Sequence, residues 1–187
     1  MAALGRALRA AGYTVHALGY PSRRGTIESH ARDLARKLQA IGPTHLVAHS
    51  MGGLVARSML AQFPDLPLQR VVMLGTPNNG SEVADFLHKK WIYQWLYGPS
   101  GGQLVTTLDR RELPCPPTLG VIAGSRAYDK VSGWIIGQPS DGKVSIASTR
   151  LEGMGDHLVL PVEHSGMLWS KAVHAATLRF LQNGRFS

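Results

Sequence analysis

The sequence predicts an α/β fold, a mostly parallel sheet flanked by helices, in a single domain spanning residues 1–187. Three observations predict it. Between Tyr13 and Leu74, short β-rich or apolar runs alternate with longer stretches of helical periodicity. Glycine and proline close the runs, as at Gly42-Pro43 and Pro64. A strand, helix, strand, helix, strand rhythm also requires right-handed crossovers, which lay successive strands side by side in one direction.

Taken in order, Met1 to Gly12 reads as a short amphipathic helix, with Leu4 and Leu8 on one face and Gly12 as its stop. Its arginines and lack of acidic residues superficially suit a transit peptide, but the helical spacing accounts for them. Tyr13 to Tyr20 is β-rich and closed by Pro21, so a strand is expected there. Thr26 suits an N-cap, and Ile27, Leu34, Leu38 and Ile41 recur at helical spacing before Gly42-Pro43 stops the run. Thr44 to His49 is a short buried strand, Leu54 to Phe63 a helix ended by Pro64, and Leu68 to Leu74 another apolar strand.

Residues 78–113 interrupt this rhythm. They mix Phe86, Trp91, Tyr93, Trp95 and Tyr97 with a Gly-Pro-Ser-Gly-Gly break, which predicts a small helical cap insertion. Pro116 to Ala123 is the next strand, Ser125 to Ser140 a Gly-rich connection, His157 to Val162 the last strand and Gly166 to Leu181 the last helix. Nothing repeats, and no linker divides the chain.

An apolar fraction of 44% against 17% charged residues excludes a disordered chain. The net charge of +8 would suit an anionic partner, but the arginines are scattered and not interleaved with aromatics. No helix-turn-helix, RNA-recognition or zinc pattern accompanies them, so nucleic acid is not an expected partner. Neither nucleotide-binding glycine motif occurs, and neither a metal nor a cofactor is expected. The lone Cys115, in Leu-Pro-Cys-Pro-Pro, excludes an internal disulfide and has no basic neighbour to make it a thiolate. No apolar run is long enough to span a membrane and no signal peptide is visible, so a cytoplasmic location is expected.

The chemistry concentrates in Leu46-Val47-Ala48-His49-Ser50-Met51-Gly52-Gly53-Leu54-Val55. Ser50 falls at the sharp turn between a buried strand and a helix, which needs small neighbours. Ala48 and Gly52 supply them, although the general pattern has glycine at both places. The helix behind Ser50 aims backbone N–H groups at a developing oxyanion, with Met51 N–H one donor. A serine hydroxyl is a poor nucleophile alone and needs a base.

The His-Ser-Met-Gly-Gly elbow resembles that of lipase- and esterase-like α/β-hydrolases. Leu74-Gly75-Thr76-Pro77-Asn78-Asn79 is similar to that family's Gly-Thr-Pro segment, Ser140-Asp141-Gly142-Lys143-Val144 to its acid loop, and Glu163-His164-Ser165-Gly166 to its histidine loop. The resemblance covers the whole chain and implies a serine esterase that uses no cofactor and acts on a small-molecule ester. Ser50 would be the nucleophile, His164 its base and Asp141 the group that orients His164, in the chain order this fold uses. Asp129 and Asp156 are alternative acids, and His157 competes with His164 but opens a strand. His49 reads as structural, its side chain directed away from that of Ser50. His16, His30, His45, His88 and His174 read as surface or core residues. Trp91, Trp95 and Tyr97 would line an acyl pocket or simply pack the cap. The cap is short, so small to medium acyl groups are expected.

The resembled family opens with strands that have no counterpart here, including one ending in a His-Gly loop that supplies a second oxyanion N–H. Losing one such donor costs ~2.7–4 kcal/mol. The loop after Tyr20, with Ser22, could supply a replacement. The absent strand would lie between segments 13–20 and 44–49, so these either pair directly or leave an edge that invites self-association. A non-catalytic binding or assembly module, and an acyltransferase using the same acyl-enzyme, remain the alternative functions.

Overall fold

Local chemistry sets the first elements. A computed structural model describes residues 1–21, 25–79, 118–127 and 139–187. Helix α1 (Ala2–Ala10) buries Leu4 and Leu8. Helix α2 (Ile27–Ile41) starts from a capping box, with Thr26 and Ser29 each accepting the other's backbone N–H. Strand β1 (Thr44–His49) turns directly into α3 (Met51–Gln62), and β2 (Leu68–Leu74) and β3 (Leu119–Gly124) follow. A short helix α4 (Ile146–Thr149) precedes β4 (Asp156–Leu160). A 3₁₀ turn at Gly166–Leu168 and helix α5 (Lys171–Asn183) complete the described order.

The four described strands form one parallel sheet in the order β1-β2-β3-β4. Both faces are covered, as a parallel sheet requires. Strand alternation divides the core: Val71, Met73, Leu119 and Val121 pack with α2 and α3, while Val72, Leu74 and Ile122 pack with α1 and α5. Gly120 leaves room for the ring of Phe180 on α5, which a Cβ at that position would strike.

Two sequence-derived helices shift. The helix expected from Leu54 begins at Met51, and Gly53 makes this compact start workable because a Cβ there would overlap Thr76. The helix expected over 166–181 is two elements, because Ser170 restarts it by capping Val173 N–H.

The expected strand at 13–20 is not formed. The segment joins no ladder, and the anticipated direct pairing with residues 44–49 is absent among the described residues. β-propensity is a local preference, whereas a strand exists only through a neighbour's hydrogen bonds. β1 is hydrogen-bonded only to β2 among the described strands. A cavity of about 660 Å³ instead lies along β1, lined by residues 13–21, α1 on one sheet face and α2 on the other. Of the expected cap insertion at 78–113, only Asn78 and Asn79 fall within the described residues, and Cys115 lies outside them. No described helix is long and apolar enough to cross a membrane.

Candidate active site

The carboxyl ends of the strands carry the site, the usual place in a parallel α/β sheet. Ser50 closes β1 with φ +54°, and is the only non-glycine described residue with positive φ. That conformation is costly for a side-chain-bearing residue and persists only where the surroundings enforce it. Here Ser50 N–H donates to Leu74 O at 2.8 Å and Ser50 O accepts from Gly53 N–H at 2.9 Å. The hydroxyl makes no capping bond to the helix it precedes. Met51 N–H stands in the first turn of α3, where backbone donors lack an intrahelical acceptor and the helix end is positive.

The Ser50 hydroxyl faces His164 instead. Its Oγ lies 2.9 Å from Nε2 of His164, and the ring's Nδ1 lies 2.7 Å from Oδ2 of Asp141. The other carboxylate oxygen of Asp141 accepts Lys143 N–H at 2.9 Å and Val144 N–H at 2.8 Å. A carboxylate only accepts, so the ring proton sits on Nδ1 and Nε2 is left to accept from Ser50. The loop is tied again through its backbone, where His164 N–H donates to Asp141 O at 2.9 Å. The Asp141 side chain is fully buried.

Glycines back this line. Gly75, at the end of β2 with φ +55°, would place a Cβ 3.0 Å from Asp141 Oδ2 and 3.1 Å from His164 Nδ1. Gly124, at the end of β3, would place one 2.6 Å from the Asp141 Cβ. Beyond them, the buried Arg57 of α3 donates to Asn78 O, and Asn78 Nδ2 donates to Thr149 O at 2.7 Å. Helix α3, the loop after β2 and helix α4 are thereby joined.

The other sequence candidates fall elsewhere. Asp156 sits at the opposite end of the sheet, accepting His157 N–H and Phe186 N–H. His157 contacts Thr149 Oγ1 at 3.0 Å, and burial together with Arg150 lowers its pKa. His30 stacks on Tyr20, His45 meets Tyr13 edge-on, and His174 Nε2 lies 3.0 Å from Leu168 O. Ser22, His88, Trp91, Trp95, Tyr97 and Asp129 lie outside the described residues.

Sequence reasoning missed one neighbour of the site. The side chain of His49 meets His164. Its Nε2 lies 3.0 Å from His164 O and the two rings are 4.8 Å apart. Burial and the adjacent His164 push its pKa down to about 4, against the smaller opposing effects of that hydrogen bond and Asp141. The available signal was a polar residue ending a buried strand. Its partner, however, is 115 positions away. Among the described residues, no group of three or more histidine, cysteine or acidic side chains could hold a metal.

Residues 5–111, more than half of the chain, match the family described as alpha/beta hydrolase fold. Among solved structures, the chain is similar to lipase BlEst2 of Bacillus licheniformis. It is 20% identical to the mature form, with a TM-score of 0.71 over 88% of this chain and 76% of that one. With the propeptide form it shares 22% identity and a TM-score of 0.68 over 80% of this chain, spanning 38% of that one. It is also similar to phospholipase PlaB of Legionella pneumophila, at 23% identity and a TM-score of 0.55 over 79% of this chain and 40% of that one.

Proposed function

The chain belongs to the alpha/beta hydrolase fold family, and on that premise we propose that it is a serine hydrolase cleaving carboxylic esters of small to medium acyl groups. One observation carries the reading: a strained Ser50 whose hydroxyl meets His164 at 2.9 Å, with Asp141 2.7 Å behind the ring. Strain at an ordinary serine would be relieved; strain that presents a hydroxyl to a base has a use.

In this mechanism Ser50 Oγ attacks the ester carbonyl carbon as its proton passes to His164 Nε2. Asp141 holds the ring with its proton on Nδ1 and stabilises the imidazolium without itself taking that proton. Met51 N–H receives the carbonyl oxygen as it becomes an oxyanion. Collapse breaks the ester C–O bond, and the leaving alkoxide takes the proton from His164. Water, deprotonated by His164, then releases the acid from Ser50.

The test is covalent labelling with a fluorophosphonate probe, read by intact mass. One adduct is expected on the wild type and none on Ser50→Ala, together with turnover of a chromogenic short-chain ester. Labelling that persists in Ser50→Ala would refute the assignment. Turnover that appears only when an alcohol acceptor is added would mark an acyltransferase. Labelling without any turnover would favour a non-catalytic module. A long-chain optimum across a series of acyl lengths would overturn the substrate class.

A further inference from the structure

We propose that His49 is a positioning residue, holding His164 in line with Ser50; this rests on the roles given above to Ser50, His164 and Asp141. The base sits on a loop beyond β4, and two hydrogen bonds fix its backbone from opposite sides. Its N–H donates to Asp141 O at 2.9 Å, and its C=O receives the His49 side chain at 3.0 Å. The first bond ties the base to the acid loop. The second ties it to β1, at the residue covalently joined to the nucleophile.

The connection is short. His49 and Ser50 are consecutive, so any shift of β1 carries both the hydroxyl and the anchor of its base. The Nε2–Oγ separation of 2.9 Å is thus referenced to the end of β1 as well as to two loops. The rings of His49 and His164 also lie against each other, 4.8 Å apart and tilted by 46°, which limits rotation of the base.

The chemistry of the contact decides the form of His49. A carbonyl only accepts, so Nε2 of His49 carries a proton, and burial, which lowers the ring's pKa to about 4, keeps Nδ1 unprotonated near neutral pH. Neutrality suits the position, because His164 becomes an imidazolium during acyl transfer and a second cation against it would oppose that charge. Packing alone would be served as well by an apolar ring; the hydrogen bond needs a donor.

The test compares His49→Phe, which keeps a ring without the donor, with His49→Gln, which restores an N–H at nearly the same reach. We expect His49→Phe to lower kcat about tenfold, equal to about 1.4 kcal/mol on the barrier, with KM unchanged. His49→Gln should recover most of that loss. The downfield proton resonance of His164 Nδ1–H should broaden in the Phe variant and sharpen again in the Gln variant. Unchanged kcat in His49→Phe overturns the proposal, and so does an equal loss in both variants with the resonance intact. If His49→Phe does not fold, ring ¹⁵N shifts of wild-type His49 at neutral pH decide instead. A proton on Nδ1 rather than Nε2 rejects the anchor, and a proton on Nε2 upholds it. A wild type that neither labels nor turns over ester would defeat the reading of Ser50, while the His49 tautomer stays readable.

Discussion

The two flanks of Ser50 are built differently. On one side, the acid and histidine loops are cross-tied by backbone and carboxylate hydrogen bonds of 2.7–2.9 Å around a fully buried Asp141 side chain. On the other, residues 13–21 and β1 line the cavity, and the side-chain hydrogen bonds from Arg9 to Val15 O and from Lys37 to Gly19 O are longer, at 3.3 Å. The proposed proton transfer needs closely held geometry, and the tied flank is the one built to hold it. The front flank, in contrast, borders the cavity along β1. Damage to the first should therefore appear in turnover, and damage to the second in association or specificity.

The sharpest break of the tied flank is Asp141→Asn. The amide can hold the loop yet favours the wrong tautomer of His164, so turnover should fall about ten-thousandfold while substrate binding changes little. Steady-state kinetics with an ester and a competitive inhibitor would separate the two, and an unchanged rate would move the acid role elsewhere.

Acid tests the same flank through stability. An unfolded chain binds a proton at His49 near pH 6.5, whereas the folded chain resists it down to about 4. Protons therefore favour the unfolded state across that window, and stability is lost as pH falls from 6.5 towards 4, by up to about 3 kcal/mol from this group. His45 and His157, also lowered chiefly by burial, act in the same direction. Urea midpoints at pH 7 and 4.5 should separate less in His49→Gln than in the wild type.

A smaller break is Gly75→Ala. The new Cβ would press on Asp141 and His164 at 3.0–3.1 Å, in a backbone conformation that costs alanine about 1–2 kcal/mol. Turnover about tenfold lower, with Ser50 labelling slowed in parallel, is the expected result. Equal rates would show that the neighbours give way freely.

The smallest effect belongs to the front. Leu18→Lys adds charge to an exposed apolar residue beside the cavity. Turnover should stay within about twofold, and any concentration-dependent association seen by sedimentation should weaken. A large loss of turnover would show that the front flank shapes the geometry around Ser50 and His164 after all.

Much of this architecture can be read locally. The runs at 44–49 and 68–74 end where the structure ends them, and the capping box and Gly42-Pro43 bound α2, because both signals act within a turn of the chain. Ser50 is legible for the same reason: strand, small residues and helix meet within ten positions. Segment 13–20 misleads because a ladder is not a local property. Asp141 and His164 emerge from family resemblance more than from physics, since nothing in one dimension reveals which loops meet. Strand polarity, which argues against His157, applies equally to Asp156, and the structure puts both at the far end of β4. His49 escapes because its partner lies 115 positions along the chain, beyond the reach of any local pattern.

The strand order has a kinetic side. Each described strand pairs only with its neighbours among the described strands, so this part of the sheet can grow in chain order, with Ser50 in place at the end of β1 before His164 arrives beyond β4. Ser50 and His164 are 114 residues apart, and their hydrogen bond closes only when β4 docks and delivers the histidine loop. Reactivity of Ser50 toward the probe during refolding is thus a clock for the docking of β4. A spectroscopic signal from α2 or β1 should run ahead of it.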